Sequence, residues 1–268
     1  MSKRSNPIGV CKLCLRKAEL QDSHLIPAAV YKYANNPTFA NPNPVVVGRR
    51  ITSSTSRQTK DYLLCLDCED RFNKHGENEF LKWVWNGSRF PLGDRLAVAH
   101  PFYAFQSFTV FSGRDTGIDM GKFGYFALSM VWRGAVHTWR SAFGDPIPIL
   151  ALGSFEEPIR RFLLGIGPYP QSITILVTAC TDIQSRLTFM SPSVLGGLGV
   201  PGFVVCILGV RIFLFFEPRL HPDLKSLCCV KSPAKLICQS DCSQKLLEAA
   251  ADIMKTTRIT EKTKRMLG

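Results

Sequence analysis

The most informative part of the sequence is a repeated C-x2-C spacing, found in Cys11-Lys-Leu-Cys14 and again in Cys65-Leu-Asp-Cys68. A two-residue gap allows both thiolates of a pair to face one ion, and two pairs supply the four sulfur ligands of a closed, tetrahedral zinc site. Fifty residues separate the pairs, more than a minimal zinc ribbon contains. We therefore predict structural zinc on all four cysteines, with an insertion between the pairs. The alternatives are two unrelated reduced pairs or a redox C-x-x-C, but neither pair has the βαβ context of a redox motif.

Composition narrows the class of protein. Hydrophobic residues make up 46% of the 268 residues and charged residues 20%, which excludes an intrinsically disordered chain. There are 33 Lys and Arg against 21 Asp and Glu, so the net charge of +12 permits a polyanionic partner. The polar N-terminus lacks the apolar region of a secretory signal. We expect a reducing, cytoplasmic location, where paired cysteines indicate metal or redox chemistry rather than disulfides.

One apolar stretch resembles a membrane span. Residues Val194 to Phe216 carry a single charge, Arg211, but five glycines and Pro201 interrupt them. The remaining segments are rich in Val, Ile and Phe, which favours two buried strands joined near Gly209 over one long helix. We therefore predict no membrane association.

Beyond the cysteines, the chain divides into residues 1–92 and a more apolar part, residues 93–268. In the second part we predict a core helix over Lys122–Phe143, a helix opened by a capping box at Ser154-Phe-Glu-Glu157, and an amphipathic helix over Ser243–Met254. Further strands are predicted at Ser172–Thr181 and Arg186–Met190. In the first part, the Asn- and Pro-rich residues 35–44 and the Ser/Thr run 52–56 predict irregular connections. The fold class expected is α+β, with two domains.

Two polar segments accompany the cysteines: Asp22-Ser-His24-Leu-Ile-Pro27 between the pairs, and Glu69-Asp-Arg-Phe-Asn73-Lys-His-Gly-Glu77 after the second pair. Together with the cysteines they resemble the HNH, or ββα-metal, nuclease superfamily. Its zinc-bearing members have C-x2-C, an Asp-His-x-x-Pro segment, and a second C-x2-C followed by His. The resemblance covers roughly residues 11–85 and is closest to a bacterial subgroup of HNH-like proteins with a Ser-His-Ile-Pro style motif. It implies a treble-clef module and a metal-dependent endonuclease.

The resemblance also implies residue roles. His24 stands at the general-base position, where an imidazole would activate water. The family's ligand just before this histidine corresponds to Ser23, and its last histidine corresponds to Glu69. Glu69, Asn73 and Glu77 are four residues apart, so on a regular helix they share one face. Oxygen ligands of this kind suit Mg²⁺ or Mn²⁺.

Three departures from the family pattern leave two functions open. Ser23 is a weak ligand where the family has Asp, although Asp22 is adjacent, and Glu69 replaces the family's last histidine. The family's central Asn has no clear counterpart among Gln58, Lys60 and Asp61. The first hypothesis is an HNH-type endonuclease that cuts nucleic acid, with DNA rather than RNA as the expected substrate. The second is a catalytically inactive zinc module that binds nucleic acid or a protein partner. In the second hypothesis, His24 holds a loop in place by hydrogen bonds to its backbone, and Glu69, Asn73 and Glu77 form a solvated helix face.

Two weaker signals remain. Cys238-Gln-Ser-Asp-Cys242, with Cys228 and Cys229, has irregular spacing and no nearby histidine, so buried thiols are expected there rather than a second metal site. Trp132, Arg133, His137, Trp139 and Arg140 place aromatic rings and cations on one predicted helix. Core packing is the expected role, with stacking on single-stranded nucleic acid as the alternative.

Overall fold

The computed structural model of the protein describes residues 5–34, 43–48, 50–87, 89–104, 108–182, 186, 188–196, 201–216, 220, 222–227, 236–240 and 243–267. The strands are β1 (Ile8–Val10), β2 (Lys17–His24), β3 (Val45–Val47), β4 (Ile51–Ser54), β5 (Lys60–Cys65), β6 (Tyr103–Ala104), β7 (Phe108–Ser112), β8 (Thr174–Ala179), β9 (Phe189–Val194), β10 (Gly202–Ile207), β11 (Val210–Phe215), β12 (Leu236–Ser240) and β13 (Arg258–Ile259). The α-helices are α1 (Ala28–Ala34), α2 (Leu66–Phe72), α3 (Asn78–Val84), α4 (Pro91–Val98), α5 (Gly113–Thr116), α6 (Met120–Val136), α7 (Glu156–Leu164), α8 (Pro222–Ser226), α9 (Ser243–Thr256) and α10 (Glu261–Leu267). The chain is thus a mixed helix and strand protein, as the sequence predicts.

The strands described form three sheets. The cysteine-bearing part is a small sheet in the order β1-β2-β5, antiparallel throughout. A larger sheet has the order β6-β7-β12-β8-β11-β10-β9, in which only the β12–β8 pair is parallel. The third sheet, β13-β4-β3, joins the C-terminal part of the chain to the insertion between the cysteine pairs.

Helix α6 is the centre of the packing. Thirteen of its residues are buried, because apolar side chains occur on every side of it. It packs against α3, α7 and the π turn at Asn73–Glu77, and against β9 and β10 of the larger sheet. One buried core extends from Cys11 to Phe216. The domain boundary expected near residue 92 stays a prediction.

Helix α6 ends earlier than the sequence predicts. It stops at Val136 rather than Phe143, and His137 is extended. The carbonyl of Arg133, which the next helical turn would use, accepts a hydrogen bond from the indole N–H of Trp139 at 2.8 Å. This side chain replaces the backbone donor that would have continued the helix.

Two local predictions are wrong and one is confirmed. The capping box at Ser154 does not form, because a 3₁₀ turn at Gly153–Phe155 leads directly into α7 and no side chain caps it. The first three residues of the Ser/Thr run predicted as irregular belong to β4, which has pairing partners on both sides. The two strands predicted within residues 194–216 are β10 and β11.

A two-residue turn joins β10 and β11. Leu208 and Gly209 both have positive φ, 48° and 86°, as a tight hairpin turn requires. The alternative of one long membrane-spanning helix over this stretch is therefore wrong. None of the helices in the described ranges has the length and apolar character needed to cross a bilayer.

Candidate metal centre and the residues around it

The four predicted zinc ligands come from two local structures. Cys11 and Cys14 lie in the turn between β1 and β2, where the N–H of Leu15 bonds to the carbonyl of Cys11 at 2.9 Å. Cys65 ends β5 and precedes α2, and Cys68 lies in the first turn of that helix. Because Leu20 on β2 pairs with Cys65 on β5, the sheet brings the turn and the helix start together.

The sulfur positions fit a tetrahedral ion. All four Sγ atoms lie within 4.8 Å of one another. Metal–sulfur bonds of about 2.3 Å give sulfur–sulfur edges of roughly 3.8 Å in a tetrahedron, and the Cys14 and Cys65 sulfurs are 3.8 Å apart. Cys11, Cys65 and Cys68 are buried and Cys14 is half-buried, as in a closed structural site. The cluster could therefore hold a metal ion such as zinc through Cys11, Cys14, Cys65 and Cys68.

The thiols interact strongly with one another. A hydrogen bond from the Cys68 thiol lowers the pKa of Cys11 to about 4, against the opposing effect of burial. The same hydrogen bond and burial raise the pKa of Cys68, and burial raises the pKa of Cys65. The cluster thus already favours thiolate at Cys11, and a bound cation would favour it at all four positions.

Two arginines surround the cluster with positive charge. The Arg16 guanidinium interacts with the Cys14 sulfur and bonds to Asp67 at 3.1 Å; both contacts raise the pKa of Arg16. Arg160 donates to the carbonyl of Leu13, between the first two cysteines, at 2.5 Å. A zinc ion with four thiolates would carry a net charge of about −2, and these cations would offset part of it, since Arg16 also pairs with Asp67 and Arg160 with Glu157.

Ser23, the residue before His24, is an internal hydrogen-bonding group rather than an open ligand. Its side chain is 2% exposed. The hydroxyl donates to the Glu69 carboxylate on α2 and accepts from the N–H of Leu64 on β5 at 3.2 Å. The two positions at which the sequence suggests a cation are thus in contact, joined by a direct hydrogen bond.

His24 is held from two sides. Its Nε2–H donates to Oε1 of Gln58 at 2.7 Å, and its backbone carbonyl accepts from Arg133 on α6 at 2.8 Å. Since Ser23 and His24 are successive residues of β2, their side chains leave opposite faces of the strand. The imidazole is half-buried on the side away from Glu69.

Glu77 is engaged separately. It is buried and forms an ion pair with Arg133, whose side chain is 2% exposed and lies over the Phe72 ring, 4.8 Å from its centroid. A π turn at Asn73–Glu77 inserts a wider turn between α2 and α3, so the regular spacing of four assumed for Glu69, Asn73 and Glu77 is interrupted. Glu69 therefore bonds to Ser23, whereas Glu77 is paired with Arg133.

In the described ranges, Glu69 and Glu77 do not belong to a group of three or more His, Cys, Asp or Glu side chains that could share a cation. There, the four cysteines are the only group of three or more His, Cys, Asp or Glu side chains close enough to share an ion. The roles of His24, Glu69, Asn73 and Glu77 in catalysis, and of Mg²⁺ or Mn²⁺, stay predictions.

Three contacts made by β2, by β5 and by Gln58 just before β5 were not predicted from the sequence. Gln58 bonds the imidazole, Arg133 links the His24 carbonyl to Glu77, and His137 bonds Asp61 at 2.9 Å. Gln58 could have been predicted as a partner of His24 from the pairing of β2 with β5, because it lies two residues before Lys60, which is paired with His24. Arg133 and His137 come from α6 and its end, far away in sequence, and no local pattern indicates them.

Of the two weaker predictions from the sequence, the structure tests the one for Trp132 and Trp139. Trp132 and Trp139 are buried, so the core-packing prediction is confirmed for both. The side chains of Cys228, Cys229, Cys238 and Cys242 lie outside what the structure describes.

Comparison of the chain with models of protein families, with curated proteins and with solved structures found no match.

Proposed function

We propose that the protein is a zinc-stabilised nucleic-acid-binding protein whose N-terminal module is a treble clef of HNH type without its catalytic cation. The arrangement of ligands supports the treble clef: two cysteines come from a turn between strands and two from the start of a helix. The net charge of +12 supports a polyanionic partner. Free thiolate ligands suit a reducing compartment such as the cytoplasm.

The hydrogen bond between Ser23 and Glu69 carries the choice of binding over cleavage. A divalent cation in an HNH-type site would need the carboxylate of Glu69 and an oxygen ligand from the position of Ser23. Here the neutral hydroxyl of Ser23 satisfies the carboxylate directly, and Glu77 is neutralised by Arg133. Glu77 thus has its counter-charge in Arg133, and Glu69, which keeps its negative charge, has a hydroxyl donor where the family has an oxygen ligand to a shared cation.

A second candidate is the HNH-type endonuclease, which the hydrogen bond between His24 and Gln58 favours, although the imidazole lies on the side of β2 away from Glu69. Its half-buried imidazole is oriented by Gln58, as a general base requires. In this alternative His24 deprotonates the attacking water, and Glu69, Asn73 and Glu77 orient one Mg²⁺ or Mn²⁺ ion at the scissile phosphate.

One experiment separates the two functions. Purified wild type and His24→Ala are incubated with plasmid in Mg²⁺ or Mn²⁺, and their binding to labelled duplex DNA and single-stranded RNA is measured as salt increases. We expect salt-sensitive binding, no nicking, and equal affinity for both proteins. Nicking by wild type that His24→Ala abolishes would establish the nuclease instead. A wild type that neither binds nor cuts any of these nucleic acids would exclude both functions.

A further inference from the structure

The C-terminal segment is built into the insertion between the cysteine pairs. Strand β13 pairs in parallel with β4, with Arg258 opposite Ile51. The N–H of Arg258 bonds to the carbonyl of Arg50 at 2.9 Å, and the N–H of Thr260 bonds to the carbonyl of Thr52 at 3.2 Å. Residues more than 200 positions apart thus form one small sheet.

Hydroxyl groups fix this contact. Thr52 bonds to Thr257 at 2.8 Å, and Ser53 bonds to Thr260 at 3.1 Å. The Oγ1 of Thr263 on α10 accepts from the N–H of Ser54 at 2.9 Å. Both Thr52 and Thr263 are fully buried. Directional bonds at buried positions hold the C-terminal segment in one register against β4.

Positively charged side chains are exposed on both segments that form this sheet and on the residues that flank it. No acidic residue occurs between Asp22 and Asp61, so the part of the insertion that contains β3 and β4 carries no negative side chain. Exposed cations come from both segments, and we name them the insertion–tail surface: Arg50, Arg57, Arg258, Lys262 and Arg265. The neighbouring acids Asp252 and Glu261 are paired with Lys255 and Lys264.

We propose that the insertion–tail surface binds the phosphate backbone of nucleic acid. This inference rests on the proposed function and assigns it to a surface that neither segment forms alone. Arginine side chains bind phosphate oxygens through paired N–H donors, and lysine binds as a point charge. Residues 43–48, 50–57 and 258–265 expose no large apolar side chain that could enter a lipid layer, which favours a nucleic acid over an anionic membrane. Arg57 of this surface is followed directly by Gln58, whose side chain bonds His24.

The test compares two variants of the full chain with equal loss of charge. The surface variant is Arg50→Gln, Arg258→Gln and Lys262→Gln, and the control is Lys74→Gln, Arg114→Gln and Lys225→Gln, all at exposed positions. Binding to labelled duplex DNA and single-stranded RNA is measured between about 50 and 200 mM salt. We expect the surface variant to bind about tenfold or more weakly, with a salt slope lower by about 2 to 3, since each lost phosphate contact removes about 1. The control should keep the wild-type slope.

A charge-conserving variant, Arg50→Lys with Arg258→Lys and Lys262→Arg, should retain the wild-type salt slope. Equal weakening in the surface and control variants would overturn the inference and leave the proposed function standing. No binding of nucleic acid by the wild type, with or without binding to phosphatidylserine vesicles, would overturn both. The zinc content of every variant is measured, because unchanged zinc shows that the module is intact.

Discussion

The hydroxyl of Ser23 donates a hydrogen bond to the carboxylate of Glu69, and this contact joins β2 to the first turns of α2. The two residues occupy the positions at which the HNH resemblance leads one to expect cation ligands. Because the hydroxyl also accepts from the N–H of Leu64, it belongs to the hydrogen bonding of the small sheet. The Glu69 carboxylate therefore has a protein donor at the position where the family would place a shared cation.

Replacing Ser23 by Asp should convert this contact into a cation site. Two carboxylates would then meet at a position that is 2% exposed, so without a cation we expect a loss of about 3–5 kcal/mol in the free energy of unfolding. An ion that binds only the folded state should return about 2.7 kcal/mol at a concentration 100 times its Kd. Urea unfolding with and without MnCl₂ measures both effects.

Ser23→Ala is the matched control. It leaves the N–H of Leu64 without its acceptor and should cost about 1–3 kcal/mol, with no response to Mn²⁺. If Ser23→Asp is also indifferent to Mn²⁺ and Mg²⁺, Glu69 is not positioned to share a cation.

The zinc cluster makes a second prediction. Wild type should contain about one zinc ion per chain, and Cys65→Ser should lose it, because a closed structural site needs all four thiolates. Cys206→Ser is the control, since this cysteine is buried in β10 away from the cluster. Plasma mass spectrometry of the dialysed proteins gives the metal content. Zinc should also leave as the pH falls, since protons compete for the thiolates. Full zinc in Cys65→Ser would show that the ion is held elsewhere in the protein.

Sequence reasoning succeeded where the information is local. The C-x2-C spacing, the apolar residues around α6 and the turn at Gly209 each lie within a few residues of what they predict. It failed where partners are distant in the chain. The Ser/Thr run at residues 52–56 becomes a strand only because β3 and the two-residue β13 pair with it, and a two-residue strand has no periodicity to detect.

The environment of His24 was only partly predictable for the same reason. The histidine itself follows from its motif. Its partner Arg133 is contributed by α6, where the residue was interpreted simply as one cation in an aromatic helix. The π turn also shows no sequence signal, although it changes which side chains of the acidic helix share a face.

The buried ion pair between Glu77 and Arg133 makes a third prediction. Glu77→Gln would leave a guanidinium that is 2% exposed without its counter-charge, so we expect a loss of about 3–5 kcal/mol in unfolding free energy. Asp94→Asn, at the exposed pair with Arg89, should cost no more than about 1 kcal/mol. Urea unfolding of both variants provides the comparison. Similar small costs for the two would mean that Arg133 has another counter-charge in the folded protein.

A fourth prediction concerns alkaline pH and Tyr125. Burial raises the pKa of this tyrosine above its ordinary value of about 10, and its hydroxyl donates to the carbonyl of Leu163 at 2.7 Å. A group whose pKa is higher in the folded state binds its proton more tightly there. Its contribution to stability is therefore complete below about pH 10 and is lost as the pH rises toward the folded-state pKa.

The measurement is urea unfolding at neutral pH and at several values above pH 10. Tyr125→Phe should be about 1 kcal/mol less stable at neutral pH, because one hydrogen bond is missing, and should lose less stability than wild type at alkaline pH. Tyr62→Phe, at an exposed tyrosine, is the control and should follow the wild type. Burial also raises the pKa of Tyr31, so some alkaline loss should persist in Tyr125→Phe. An alkaline loss in Tyr125→Phe as steep as in wild type would show that the Tyr125 hydroxyl ionises as readily in the folded chain as in the unfolded one.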